Sequence, residues 1–200
     1  MKYYIELTLI SDVDIPINFI WSKVYQQIHF ALATLHNSQG IKDIGVSFPN
    51  YVFDQDKPKP VSKLGHKLRL FAENKSDLEQ LDIHKWLEQL TEYVHIRSIN
   101  EVPSDIKGHL VVSRHRYKNA HAVAKRFSKF KNISYSNALR HTTEFKRSAE
   151  ERPFITLFSS TSNEKYQVAI KQEMVDEAKT GIFNSYGINT CGSKITVPHW

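Results

Sequence analysis

The sequence predicts an α+β fold in two parts, and three observations lead to that prediction. In residues 1–102, short apolar stretches typical of strands alternate with two longer stretches of helical pattern. From Pro153 onward, the pattern is mainly that of strands. Between these regions, the stretch from Ile106 to Thr143 contains no Asp or Glu. This order indicates a mixed helix and sheet domain followed by a basic, β-rich part.

The N-terminal part begins with an alternating strand and a long helix. Residues Lys2–Ile10 alternate in polarity and are rich in aromatic and β-branched side chains, a pattern typical of a strand. Residues Ile17–His36 carry apolar side chains at helical spacing, which predicts that one side of the helix is buried. The predicted buried positions are Ile20, Val24, Ile28, Leu32 and Leu35.

Three further strands and a second helical segment complete the N-terminal part. Ile44–Phe48 and Lys67–Ala72 are predicted strands, and Asn50–Gly65 between them is a polar loop interrupted by proline. A helical region follows, and Tyr93–Ile99 is the fourth strand. The order strand-helix-strand-strand-helix-strand is the split βαβ pattern, so we predict a ferredoxin-like domain over residues 1–102.

The second part, residues 103–200, is predicted to contain a basic helix and a smaller β-rich domain. Gly108–Arg114 has the pattern of a strand or an extended linker. Ala120–Lys131 is a predicted helix with Asn119 as its N-cap, and a short helix is expected after Ser134. The predicted C-terminal strands are Pro153–Phe158, Tyr166–Lys171, Gly181–Ser185 and Lys194–Val197.

The acid-free stretch carries most of the excess positive charge. Nine of the 27 basic residues lie in it, which exceeds the net charge of +6 and leaves 18 basic against 21 acidic residues elsewhere. The nine are Lys107, Arg114, Arg116, Lys118, Lys125, Arg126, Lys129, Lys131 and Arg140. A local field of one sign predicts a polyanionic partner, and we expect a nucleic acid.

Helical geometry sorts the side chains of the basic helix onto two sides. Val123, Phe127 and Phe130 are expected to gather on one side. The residues expected to contact nucleic acid from the other side are His121, Lys125, Arg126 and Lys129. The alternative is a merely solvated helix face, which normally mixes charges of both signs. The missing carboxylates favour the nucleic-acid interpretation.

Two arginines precede this helix in an extended segment. Side chains two residues apart in such a segment point the same way, so Arg114 and Arg116 are predicted to reach two adjacent base edges. Arginine bound to guanine is the commonest base-specific pairing. Lys118 belongs to the same predicted set of nucleic-acid contacts.

Composition and spacing exclude several other classes of protein. The single cysteine, Cys191, excludes a disulfide framework and a cysteine-based zinc site, and it is compatible with a reducing cytoplasm. We find neither a signal segment nor an apolar run long enough to span a membrane, so a cytoplasmic protein is expected. Histidines 109, 115 and 121 recur every six residues, a spacing that converges on neither a helix nor a strand. No metal site is therefore predicted.

One histidine lies on the long predicted helix. His29 follows Ile28 and is in line with Trp21 and Tyr25 on the helical wheel. Taken alone, such a residue is most simply a surface or half-buried histidine.

Six motifs follow one another along nearly the whole chain. They are Ile28-His29-x-Ala31-Leu32, Ile44-Gly-Val-Ser-Phe-Pro49, Ser113-Arg114, Pro153-Phe-x-Thr-Leu-x-Ser159, Phe183-x-x-Tyr186-Gly187 and Val197-Pro-x-Trp200. In this order they resemble the Csy-type CRISPR RNA-processing endoribonucleases of type I-F systems.

The resemblance implies a ribonuclease, without metal or cofactor, that cuts precursor CRISPR RNA at the 3′ base of each repeat stem-loop. It implies that His29 is the general base on the 2′-hydroxyl, that Ser159 positions this hydroxyl and that Tyr186 helps to orient His29. Tyr166 is implied to stack on the terminal base, and the basic helix to lie in the major groove of the stem. The substrate supplies the nucleophile, so the protein needs a proton acceptor that titrates near neutrality, as histidine does. The expected products carry a 2′,3′-cyclic phosphate and a 5′-hydroxyl.

The resemblance also implies partners, and it leaves alternatives open. The implied partners are the repeat stem-loop, retained after cleavage, and the other Csy proteins of a surveillance complex, outside which we expect a monomer. Arg116 departs from the family, which has glutamine there, so the lower stem of this protein's repeat is expected to differ. Ser159 has the alternative of capping a turn. The alternative for the whole protein is a non-catalytic RNA-hairpin-binding protein in which His29 is structural.

Overall fold

The structure, a computed structural model, describes residues 1–56, 59, 61–116, 120–146, 152–159 and 161–200. The chain forms two compact units: Met1–Arg114 with Arg152–Trp200, and His115–Glu151. In chain order the elements are β1 (Tyr3–Leu9), α1 (Ile17–Gln39), β2 (Gly45–Ser47), β3 (Val52–Asp54), β4 (Val61–Lys63), β5 (Lys67–Ala72), α2 (Lys75–Leu81), α3 (Ile83–Trp86), a 3₁₀ turn (Glu88–Leu90), β6 (Val94–Ile96), β7 (Asn100–Glu101), β8 (Gly108–His115), α4 (Ala120–Lys131), α5 (Tyr135–Lys146), β9 (Phe154–Ser159), β10 (Glu164–Val175) and β11 (Val197–His199). The predicted α+β class is confirmed.

The first sheet of the larger unit has the order β2-β5-β1-β6, and β7 also pairs with β1. Each neighbouring pair is antiparallel, and in the central pair Leu7 lies opposite Leu68. Both of these leucines are fully buried. The predicted polar loop Asn50–Gly65 was wrong in part, because it contains the short hairpin of β3 and β4.

Helix α1 is buried on more than the one predicted stripe. All five predicted positions are buried, and full burial of an aliphatic side chain contributes about 1.5–3 kcal/mol. Trp21 and Tyr25, which lie beside that stripe, are also buried. The reason is that α1 has packing partners on two sides. Trp21 donates its indole N–H to the carbonyl of Gly65, and the Oε1 of Gln26 accepts the backbone N–H of Phe158 in β9.

The second sheet has the order β11-β8-β10-β9. Two predicted strands near the C-terminus need correction. Gly181–Ser185 is irregular, because the Asn184 side chain accepts backbone N–H groups and starts a turn in place of a strand ladder. The last strand is shifted to Val197–His199, which pairs with the start of β8.

The smaller unit contains α4 and α5. Asn132, with a positive φ of 53°, ends α4 after Lys131, as predicted. Ala124 and Ala138 are buried in this unit. Phe130, one of the three apolar side chains expected to gather on one side of this helix, is 81% exposed. The predicted N-cap, Asn119, lies outside the described residues.

Among the helices of the described residues, none combines the length and apolar character that a membrane span requires.

Candidate active site

His29 lies near the middle of α1, where its imidazole contacts a backbone carbonyl and an aromatic ring. Its Nδ1 is 2.8 Å from the carbonyl oxygen of Ser185, 156 positions away in the chain. Its ring is stacked on that of Tyr186, with centroids 4.0 Å apart and planes 4° from parallel. The histidine is half-buried, and two independent contacts therefore define the orientation of its imidazole.

The hydrogen bond to Ser185 also determines which nitrogen of His29 carries the proton. A carbonyl oxygen can only accept, so Nδ1 is the donor and the neutral ring has its lone pair on Nε2. Burial lowers the pKa of His29 below its ordinary value, and the hydrogen bond to the Ser185 carbonyl offsets part of that shift. At neutral pH the site therefore presents an unprotonated Nε2, which is a proton acceptor.

Tyr186 is fixed at three points. Its backbone N–H donates to the side-chain oxygen of Asn184, at 2.8 Å. Its carbonyl accepts the hydroxyl of Tyr25, at 2.9 Å. Its own hydroxyl lies 2.8 Å from the hydroxyl of Tyr166. Backbone and ring tip are both held, which keeps the ring parallel to the imidazole of His29.

Gly187 allows the chain to make this turn. Its φ is +69°, in the left-handed region that favours glycine. A Cβ at this position would lie 2.6 Å from the side chain of Val46 and 3.3 Å from that of Leu32. The carbonyl of Gly187 accepts the N–H of Val46 in β2. The segment carrying Tyr186 is thus pinned directly to the first sheet.

Tyr166 and Arg114 extend the same cluster. The guanidinium of Arg114 lies 5.9 Å from the ring centre of Tyr166 and donates to the carbonyl of Gln167 at 3.0 Å. Arg114 is exposed, whereas Tyr166 is partly buried. Burial is the main cause that raises the pKa of the Tyr166 phenol, and the hydrogen bond to Tyr186 raises it further. This phenol therefore stays neutral at physiological pH.

Ser159 is on the same face of the second sheet as Tyr166. Tyr166 is opposite Leu157 in the β9–β10 register, and Ser159 follows Leu157 by two residues. Directly opposite residues share a face, and diagonal neighbours on that face are within reach of an aromatic side chain. The hydroxyl of Ser159 accepts the N–H of Ser162 at 3.2 Å, so the turn-capping alternative is present. Its O–H remains a donor, because capping uses only a lone pair.

The predicted residues divide between the two units. His29, Tyr186, Tyr166 and Arg114 form one connected set, with Ser159 on the adjoining sheet edge. The remaining predicted RNA contacts that the structure describes are exposed residues of the smaller unit: Arg116, His121, Lys125, Arg126 and Lys129. Lys118 lies outside the described residues. Within the smaller unit, Nδ1 of His121 is 2.7 Å from the hydroxyl of Tyr135.

Sequence reasoning missed three contributors to the site. Tyr25 lies one turn before His29 on α1, and this spacing was the available signal. Asn184 lies two residues before Tyr186, the spacing at which asparagine accepts a backbone N–H in a turn. Gln26 links α1 to β9 just before Ser159, at 2.8 Å, and no sequence signal pointed to it.

Among the residues that the structure describes, no three His, Cys, Asp or Glu side chains are grouped so that they could hold a metal ion.

Comparison with known proteins gives the family. The model of the CRISPR-associated protein family Cas_Csy4 matches residues 4–200. The chain belongs to this family. This match confirms the family predicted from the six motifs. It also confirms the predicted enzyme class, a CRISPR-associated endoribonuclease.

One curated relative covers almost the whole chain. The "CRISPR-associated endonuclease Cas6/Csy4" of Pseudomonas aeruginosa (strain UCBPP-PA14) is 27% identical over 193 residues, which is 96% of this chain and 97% of the relative. Among solved structures, one described as "CRISPR associated protein Cas6" has a TM-score of 0.36 at 13% identity, over 99% of this chain and 98% of the other. One described as "An RAMP protein binding different RNA substrates" has a TM-score of 0.35 at 12% identity, over 99% of both chains.

Proposed function

We propose that this protein cleaves precursor CRISPR RNA at the 3′ base of each repeat stem-loop, with no metal ion in the reaction. The observation that carries the proposal is the geometry of His29. A hydrogen bond from Nδ1 and a stacked tyrosine fix its imidazole, and they leave Nε2 as a proton acceptor. Family membership supplies the substrate class.

In the proposed reaction, Nε2 of His29 takes the proton of the 2′-hydroxyl upstream of the scissile phosphate. The 2′-oxygen attacks phosphorus, and the bond from phosphorus to the 5′-oxygen breaks. The products are a 2′,3′-cyclic phosphate and a 5′-hydroxyl, whose proton comes from solvent. Because the nucleophile belongs to the substrate, neither a nucleophilic side chain nor a metal-bound hydroxide is required. General base catalysis of this kind contributes about 10²–10⁴-fold to a rate.

Ser159 and Tyr186 are proposed to supply orientation. The 2′-oxygen has to be in line with the departing 5′-oxygen, and a hydrogen bond from Ser159 would hold it there. The support for this role is the hydroxyl proton of Ser159, which the turn does not use. The support for Tyr186 as the residue that orients His29 is its parallel stacking on the imidazole.

We propose that the RNA is bound by two kinds of contact. Arg114 and Arg116 read base edges of the lower stem, and the ring of Tyr166 stacks on the terminal base. The exposed cations of α4 meet phosphates in the major groove, which gives affinity and strong salt dependence. Lys118 belongs to the same proposed set.

The finer points of architecture and context also remain proposals. A ferredoxin-like domain over residues 1–102 is supported by the order β2-β5-β1-β6 with antiparallel neighbours. The division at residue 103 describes which part carries the base and which part holds the RNA, whereas the compact units divide the chain at His115 and Arg152. Retention of the cleaved RNA, assembly with other Csy proteins, a monomeric state outside that assembly and a cytoplasmic location follow from the family resemblance.

The test is cleavage of the cognate repeat hairpin in EDTA, beside a hairpin with a single 2′-deoxy at the cleaved nucleotide. We expect the all-ribose hairpin to be cut to a cyclic phosphate and the 2′-deoxy hairpin to bind but remain whole. Tight binding of both RNAs without cleavage would instead make the protein an RNA-hairpin-binding protein. Cleavage of the 2′-deoxy hairpin would exclude attack by the 2′-oxygen.

A further inference from the structure

The hydroxyl of Tyr166 makes a contact that base stacking does not require. Stacking uses the face of an aromatic ring, and phenylalanine provides such a face equally well. In this chain the tip of the Tyr166 ring carries a hydroxyl 2.8 Å from the hydroxyl of Tyr186. Tyr186 in turn lies flat on His29. Tyr166, the residue expected to touch the RNA, is therefore connected through Tyr186 to His29, the proposed general base.

The hydroxyl pair restrains a movement that the other contacts of Tyr186 leave open. Asn184 and Tyr25 hold the backbone of Tyr186, on its N–H and its carbonyl. Neither contact determines how the ring turns about its side-chain torsions. Among the hydrogen bonds of the described residues, the one to Tyr166 alone grips the ring at its far end. The parallel stacking of Tyr186 and His29, at 4°, depends on that end staying in place.

Tyr166 is itself well anchored. It lies in the middle of the β9–β10 ladder, opposite Leu157, which is buried. The guanidinium of Arg114 lies near its ring. A strand residue with these neighbours is a firm support for a second side chain, because the ladder limits movement of its backbone.

We propose that Tyr166 is a positioning residue whose hydroxyl holds the ring of Tyr186 parallel to His29. This inference rests on the proposed function. It links RNA binding to proton transfer. A nucleobase stacked on Tyr166 touches the residue that holds the ring of Tyr186, and Tyr186 aligns the proton acceptor of His29. Correct seating of the stem and alignment of His29 Nε2 are thereby joined through one hydroxyl pair.

The test is a double-mutant cycle of Tyr166→Phe and Tyr186→Phe, with Tyr51→Phe as the matched control. Tyr51 also donates its hydroxyl to β10, to the carbonyl of Ile170 at 3.2 Å, but it has no part in the proposed chemistry. Single-turnover cleavage at saturating RNA is measured together with the Kd for the 2′-deoxy hairpin. Loss of one hydrogen bond predicts a cleavage rate roughly three- to tenfold lower in each single variant, with Kd unchanged within about twofold. The double variant should be no slower than either single one, because both substitutions remove the same contact.

Three cleavage results would overturn the inference. The first is Tyr166→Phe cutting at the rate of the wild type. The second is a double variant in which the two losses multiply. The third is a loss confined to Kd, which would mean that the hydroxyl acts on the RNA and not on Tyr186.

A second measurement needs no cleavage and separates this inference from the proposed function. In the NMR spectrum of the free protein, the Tyr186 ring should shift the carbon-bound ring protons of His29 upfield. Tyr166→Phe should reduce that shift, and Tyr51→Phe should leave it unchanged. If the wild type never cuts but this difference is seen, the proposed function fails and the positioning contact stands. An unchanged His29 signal in Tyr166→Phe would refute the positioning contact whatever the enzyme does.

Discussion

The surroundings of His29 and the exposed side of α4 use polar groups in opposite ways. Around His29, each polar contact is short and directed: Nδ1 to a carbonyl, one tyrosine to a backbone carbonyl, and another tyrosine to its neighbour's hydroxyl. On α4, Lys125, Arg126 and Lys129 are exposed in a stretch without a carboxylate. The contacts around His29 fix the orientation of its imidazole, and the cations of α4 supply a positive electrostatic field.

The two regions should therefore tolerate different kinds of substitution. A directed contact is lost when one atom moves by an ångström, and rates that depend on alignment fall steeply. A field of several charges changes in small steps, and added salt screens it. Substitutions near His29 should therefore affect the cleavage rate, whereas substitutions on α4 should affect affinity.

The largest expected effect on stability comes from one methyl group added next to Tyr186. Gly187→Ala places a Cβ 2.6 Å from the Val46 side chain at a φ of +69°, so it should destabilise the fold by roughly 2–4 kcal/mol. Gly192→Ala is the matched control, because φ is +84° there but nothing lies within 4 Å of the new Cβ. That control should lose only about 1–2 kcal/mol. Urea unfolding measures both, and equal losses would show that close packing under Tyr186 is unimportant.

The next effect should appear in affinity alone. Lys125→Ala with Lys129→Ala removes two proposed phosphate contacts, so the slope of log affinity against log salt should become shallower by about 1.4–1.8. The cleavage rate at saturating RNA should not change. Lys63→Ala with Lys85→Ala removes two exposed charges from the larger unit and should leave the slope as it is. A fall in the saturated rate of the α4 variant would contradict the division of roles.

A smaller effect is expected in the pH dependence. Protonation of Nε2 removes the base, so kcat/KM should fall as the pH drops through the pKa of His29. Burial lowers this pKa, which places the acidic limb below the ordinary histidine value. His84→Gln, at an exposed histidine, should leave the limb in place. A limb above the ordinary value would show that His29 is not the titrating base.

Features that depend on neighbouring residues in the sequence were predicted well, and features that depend on residues far apart in the chain were not. The helix from Ala120 to Lys131 was predicted with its observed bounds, since periodicity and its ending at Asn132 are local signals. Gly181–Ser185 was predicted as a strand because it resembles one locally, whereas the Asn184 side chain makes a turn. Helix propensity could not report the burial of Trp21, because that depends on what packs on α1.

The candidate site shows the same limit. His29 was singled out by resemblance to a family and not by its place on a helical wheel. Its partners are a carbonyl and a ring more than 150 positions away, and no pattern in the sequence joins them. The turn that presents Tyr186 was visible only as an Asn and a Gly at the correct spacing. The charged helix could be predicted because its positive charge can be counted directly in the sequence. The aligned contacts of His29 could not, because they join residues that only the fold brings together.

The most direct test of His29 as the general base is single-turnover cleavage by wild type and His29→Ala, with the Kd of the 2′-deoxy hairpin measured for both. Loss of a general base predicts a rate about 10²–10⁴-fold lower at saturating RNA, with Kd within about twofold of wild type. A His29→Ala enzyme that cuts within a few fold of the wild-type rate would contradict this role and place the general base elsewhere.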